Sequence, residues 1–434
     1  MLLQRGKPPT GTRFDGGKIV WSGAAIQALH SGVVFNVFNL LAVELHDEFG
    51  WSYSVLGLAF TLNRAESGML GPLQGWMTDK WGPRTNLRLG AVVMAIGLLL
   101  FATVDSVLEF YGAYLLVSLG SSLAGHLPIT VAIVHWYRRQ RSKALAYGQM
   151  GFAVGGILAF LYGVVLNAIG WRATSVWAAA LTLVVILPLS RYFHHRPSDV
   201  GQFVDGVDPA AADEAPPIPA SQAKVDFTPT EAMRTRAFWF ISLGHASALL
   251  VVGAAMAHLA SFLKDEQGLS SLHTAVVVGV LPLMMGAGQL LGGVVGERMN
   301  KRHLVTIAML GHGVGLLVLA VAANPAMVWL FVLLHGLAWG IRGPIQSSMR
   351  ADYFGAADFG KIMGFSSLII MLGMMIAPVF AGVLKDATGS FTLPFLILSA
   401  FAGAGSLWFF FATPPSAPVR TARLSDAVPT ASPA

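Results

Sequence analysis

Two arginines stand where a membrane-crossing chain has no ordinary use for charge. Arg342 lies in the middle of the apolar stretch Ala326 to Ser348, and Arg64 at matching depth in the stretch Tyr53 to Met77. A cation at the bilayer centre costs roughly 3 kcal/mol even on the lenient insertion scale, so such a residue is expected to serve a site. Two guanidiniums facing one cavity would attract an anion, and their fork geometry suits a carboxylate. Glu66 comes two residues after Arg64 and projects about 200° away from it on a helix, so the two cannot pair. It should face inward within its own helical unit, either as the fixed partner of His126 or another polar group, or as a proton carrier. Arg342 sits among Gly336, Gly340 and Gly343, which leave room for a substrate or a neighbouring helix.

Other polar residues share these depths. Asn36 and Asn39 in the first apolar stretch and Gln289 in the eighth are candidate substrate contacts. His30, His126, His245, His258, His312 and His335 all fall within apolar stretches. Each is expected to be a hydrogen-bonded core residue rather than a proton relay, with His126 the best candidate for substrate contact because it occupies the position equivalent to Arg342 in an internal repeat described below. No Gly-x-x-x-x-Gly-Lys-Ser/Thr loop is present, so ATP is not the expected energy source. There is no His-Glu-x-x-His, no nucleophile elbow and no cysteine at all. Neither an enzyme, nor a cofactor, nor a metal centre is expected.

The elements that must position these residues follow from composition. Of 434 residues 55% are hydrophobic and only 12% charged, about half the charge of a soluble domain. The mean hydropathy is +0.64. The apolar runs are about 20 residues or longer, enough to cross the roughly 30 Å hydrocarbon layer. Twelve spans are predicted, at about 19–45, 53–77, 86–104, 107–135, 144–168, 173–194, 237–262, 272–296, 303–322, 326–349, 361–384 and 391–412. The net charge of +6 does not point to nucleic acid, because the cations cluster in alternate loops. Arg350 and Lys361 are counted with that basic side, and only Arg172, Lys264 and Lys385 fall opposite. By the positive-inside rule both termini are cytoplasmic. The first span is expected to act as an uncleaved insertion signal.

The chain divides into a cytoplasmic tail (1–18), a six-helix bundle (19–194), a linker (195–236), a second six-helix bundle (237–412) and a tail (413–434). The linker, rich in Pro, Ala and Asp, reads as flexible until Thr228-Pro-Thr-Glu231, which has the residues of a capping box. The last segment reads as disordered. The two bundles repeat. Gly75, Asp79, Lys80, Gly82 and Arg84 follow span 2; Gly293, Glu297 and Arg298 follow span 8, with Asp79 and Glu297 218 positions apart. An offset of 216 aligns His126-Leu-Pro128 with Arg342-Gly-Pro344. Gly68, Gly71 and Gly75 form a smooth stripe with Arg64 and Asp79, suited to close contact with the other bundle. Asp79 should pair with the start of a facing helix and with Lys80 and Arg84.

The Gly-x-x-x-Asp-Lys-x-Gly-x-Arg loop after span 2, its weaker copy after span 8 and the six-plus-six layout resemble the major facilitator superfamily over nearly the whole chain. Within it, the Gly-rich span 2, Ala351-Asp-Tyr-Phe-Gly355 and Gly382 to Gly389 resemble the bacterial monocarboxylate and oxalate–formate branch. The resemblance implies an all-α membrane fold of twelve helices in two pseudo-symmetric bundles, working by alternating access, with the loop motif clamping the cytoplasmic side. It implies a basic substrate-binding residue in span 8, yet span 8 here has no charge before Glu297. The expected function is secondary active transport of a small organic anion, a monocarboxylate or dicarboxylate, across the cytoplasmic (inner) membrane by a monomer, with a proton as co-substrate. The alternatives are anion exchange, efflux of an uncharged or cationic drug, and a non-transporting receptor or scaffold.

Overall fold

The computed structural model describes residues 14–35, 37–208 and 226–418, leaving aside the side chains of Phe38, Asn39, Tyr53, Ser54, Phe60, Thr61 and Arg64. All regular structure in the described residues is helical. Ten helical stretches are long and apolar enough to cross a bilayer. Two further passes are concealed by geometry. Arg141–Ser190 is a single 50-residue run broken at Gly170, whose φ of 76° and ψ of 165° suit only glycine, and the break separates spans 5 and 6. Span 2 is cut at Leu70 into Tyr53–Met69 and Gly71–Trp81. Span 1 covers Gly16–Phe49, span 3 Pro83–Phe101 and span 4 Val107–Trp136. Spans 7 to 12 are Arg236–Glu266, Ser271–Val295, Lys301–Ala320, Pro325–Phe354, Phe359–Thr388 and Thr392–Phe411. The fold is the expected twelve-helix membrane architecture. Buried apolar side chains form two clusters, one mainly from spans 1–6 and one from spans 7–12.

Three spans of the first half are interrupted at mid-depth. Span 1 passes through a π-helical turn at Ser31–Phe35. Span 4 is divided into Val107–Leu123 and His126–Trp136, with Pro128 in the new first turn. At Pro72 the missing N–H would leave the Gly68 carbonyl unpaired, and the Ser367 hydroxyl of span 11 donates to it at 3.2 Å. In the second half, spans 8 and 10 run through Pro282 and Pro344 unbroken.

The face that carries the linker is closed by contacts between the halves. The linker's described ends, 195–208 and 226–236, are docked there. Asp205 accepts from the backbone N–H of Arg138 and Arg139, and Asp226 from that of Ala356. The acids are satisfied by exposed backbone donors at the bundle ends. The capping box at Thr228 and Glu231 forms and opens the short helix Pro229–Met233. Residues 209–225 and 419–434, expected to be flexible and disordered, lie outside the described residues.

Candidate substrate cavity

A cavity of about 330 Å³ lies between the halves. The interrupted helices build its wall: Gln27, His30, Ser31 and Phe35 from span 1, Asn63, Ser67 and Gln74 from span 2, and Tyr114, Ser118, Ser121, Ser122 and His126 from span 4. The second half contributes His245 of span 7 and Met363, Ser367 and Ile370 of span 11. Breaking a helix at the wall turns side chains and free backbone groups towards the cavity, a feature of transporter sites.

Behind the first-half wall sits Glu66. Its Oε2 accepts from Ser118 (2.6 Å), Ser122 (3.1 Å) and Ser67 (3.2 Å), while Oε1 is buried without a partner. Asn63 donates to Ser118 at 2.7 Å and extends this hydroxyl cage. Glu66 does face its own bundle, but its partners are serines of spans 2 and 4, not His126. His126 uses both ring nitrogens, Nδ1 towards Gln27 Oε1 and Nε2 towards Thr130 Oγ1, each at 3.3 Å. It lines the cavity but has no nitrogen to spare.

In the second half Arg342 is 2% exposed and does not line the cavity. It donates to His312 Nε2 (3.4 Å) and Gln346 Oε1 (3.1 Å), and His312 Nδ1 meets His335 Nδ1 at 3.1 Å. One helical turn past Gln346 comes Arg350, counted from sequence with the exposed basic loops and in fact 2% exposed. Span 10 continues to Phe354, so Arg350 is inside the helix and not past its end. Its guanidinium donates to Ser366 Oγ (3.0 Å) and His245 Nδ1 (3.4 Å) and touches the Met363 sulfur. The i, i+4, i+8 spacing of Arg342, Gln346 and Arg350 was the available signal for one polar stripe. Among the described residues neither arginine has a carboxylate partner. Gln289 is buried beside Gly340, its Oε1 unpartnered, and does not line the cavity. Asn36 lies outside the described residues, as do the side chains of Asn39 and Arg64.

The loop motif and its copy meet the opposite halves in the same way. Asp79 accepts from the backbone N–H of Gly360 (3.0 Å) and Lys361 (2.8 Å) at the start of span 11. Glu297 accepts from that of Lys143 (2.9 Å) at the start of span 5. Lys361 and Lys143 are themselves 218 positions apart, so the repeat extends to the acceptor helices. Gly75 and Gly293 make room: a Cβ on either would stand 2.9 Å and 3.3 Å from the Cα of Lys361 and Lys143. Burial raises the Glu297 carboxyl, the Lys301 charge and the N–H bonds opposing it. The expected pairing of Asp79 with Lys80 and Arg84 does not form. Lys80 lies 4.7 Å over the Trp76 ring, Arg84 Nε is unpartnered and Arg298 is exposed, while the start of span 11 supplies one N–H to each carboxylate oxygen of Asp79. Gly82, with φ of 80°, ends the helix Gly71–Trp81 and turns the chain into span 3. Asp352 adds a buried bridge, to Arg141 of the first half (2.7 Å) and Lys301 (2.5 Å).

Twelve helices in two bundles around a polar cavity define a membrane transporter rather than an enzyme. The Major Facilitator Superfamily model matches residues 23–341 and 241–432, and the chain belongs to that family. It is similar to the probable sulfoacetate transporter SauU of Cupriavidus necator, at 26% identity over 401 residues covering 87% of this chain and 89% of that one. It is 24% identical to the oxalate:formate antiporter of Oxalobacter formigenes over 352 residues, 78% of each chain. The crystal structure of the human organic anion transporter MFSD10 (TETRAN) superposes with a TM-score of 0.70 at 17% identity, covering 91% of this chain and 99% of that one, and supports the fold alone.

Proposed function

We propose that this protein carries a small organic anion across the membrane by alternating access, with a proton travelling through Glu66. The observation that carries the reading is the pair of buried guanidiniums, Arg342 and Arg350, with no carboxylate to neutralise them among the described residues. A buried unpaired charge costs several kcal/mol, and an arriving anion offsets that cost. Arg342 acts on the cavity by its field rather than by contact. Arg64, Asn36, Asn39, Gln289 and His126 remain candidate contributors to the site. The named relatives handle sulfoacetate, oxalate and formate, all small organic anions, which supports the same substrate class here.

Glu66 suits proton carriage because one oxygen is saturated by hydroxyls and the other is buried and bare, a place for a proton beside the cavity. Asp79 and Glu297, with Gly75, Lys80, Gly82, Arg84 and Arg298 around them, form the gate of the linker face. By its basic loops that face is cytoplasmic. Anion exchange is the second reading, favoured by the presence of two cations. Uptake of labelled acetate, lactate, oxalate and sulfoacetate into proteoliposomes, with and without a pH gradient, tests the reading. Saturable transport of a neutral drug that none of these acids inhibits would overturn it.

A further inference from the structure

The two arginines that attract the anion do not reach the cavity wall, so something else must touch it. His245 and Met363 both line the wall and meet the Arg350 guanidinium, and of the two only the imidazole carries a donor of its own. Arg350 has only N–H donors, so the ring nitrogen it meets, Nδ1, must offer a lone pair. That assignment puts the ring hydrogen on Nε2, and no described residue accepts it. His126 across the cavity shows the contrast. Gln27 Oε1 takes its Nδ1–H and Thr130 Oγ1 occupies Nε2, so both its ring nitrogens are already engaged. Around His245 the charged and titratable neighbours are Arg350 and Arg342 of span 10 and His126 of span 4, with no acid among them.

We propose that His245 grips the substrate's oxyanion through Nε2–H, with Arg350 behind it orienting the ring and supplying the positive potential. This rests on the anion reading above and names the contact within it. The ligand chemistry is a carboxylate or sulfonate oxygen, an acceptor for a single N–H donor. Placing a neutral donor between guanidinium and anion gives a contact weaker than a direct arginine fork. A transport site must also release its cargo, and a contact of that strength suits it.

The test is competition of acetate, oxalate and methanesulfonate against labelled substrate uptake in proteoliposomes holding the full-length protein. His245→Gln places an amide N–H near the Nε2 position, whereas His245→Asn reaches only as far as Nδ1. His245→Gln should stay within about threefold of wild type, and His245→Asn and His245→Leu should weaken all three anions roughly tenfold or more. Arg350→Gln should weaken them similarly, and Arg350→Lys should recover part of the loss by restoring the charge. Monodisperse elution of each variant separates these effects from misfolding, and His245→Gln keeps the test open if Arg350→Gln does not fold. Unchanged affinity in both His245→Asn and His245→Leu overturns the assignment while leaving anion transport standing. Loss confined to the carboxylates, with methanesulfonate unaffected, overturns the shared oxyanion contact. A wild type that takes up none of the acids removes the anion reading itself.

Discussion

The two halves of this transporter are alike at the linker face and unlike at mid-membrane. At the face, Asp79 and Glu297 each cap the first turn of a helix in the opposite half, at donors the same 218 positions apart. At mid-membrane the first half holds an acid in a cage of serines, with its helices interrupted. The second half holds two arginines among histidines and an amide, with spans 8 and 10 continuous. A duplicated chain keeps its symmetry where both copies do the same mechanical job. It loses that symmetry at mid-membrane, where under the proposed function one copy would handle an anion and the other a proton, since a single residue type cannot stabilise both charges.

The division can be broken most severely at the cations. A guanidinium about 6–8 Å from a bound anion contributes roughly 2–3 kcal/mol at an effective dielectric of about 20, which is some 30- to 100-fold in affinity. Arg342→Gln should therefore weaken anion binding by about that factor while the protein still folds, as read by competition uptake and size exclusion. Wild-type affinity in that variant would give Arg342 a structural role only.

The proton side is the next largest. One coupled proton lets each unit of pH gradient support about a tenfold accumulation. In Glu66→Gln that tenfold should vanish while counterflow of labelled anion persists. Equal loss of both would place Glu66 in the anion's path rather than the proton's.

The smallest effects belong to the symmetric latches. Asp79→Ala and Glu297→Ala should each shift the closed–open balance of the linker face by about tenfold, the worth of a charge-assisted bond of roughly 1.4 kcal/mol, without altering the rank order of competing anions. Labelling of cysteines placed in the cavity reads this cleanly, because the chain has none of its own.

Much of this was legible in the residues. The repeat between Gly75–Asp79 and Gly293–Glu297 announced a doubled unit, and the glycine stripe announced a close helix contact. Arg342 was visible because charge in an apolar run stands out. Arg350 was missed because it falls where span and loop look alike; only the continuation of span 10 to Phe354 buries it. His245 was one of six histidines singled out within the apolar stretches, and nothing local distinguishes it from His258 or His312. Lys80 and Arg84 looked like partners for Asp79 because they are near in sequence, yet the partner is a helix end 281 residues away.

Composition and periodicity by themselves determined that the chain spans a membrane twelve times in two related halves. The physical reason is that hydrocarbon imposes the length and apolarity of each pass locally, residue by residue. Which buried charge meets which partner was decided only by tertiary structure. A guanidinium's surroundings are supplied by helices distant in the chain: His245, Ser366 and Met363 reach Arg350 from spans 7 and 11. Hydrogen-bond direction and tautomer depend on that assembled neighbourhood and on no single segment within it.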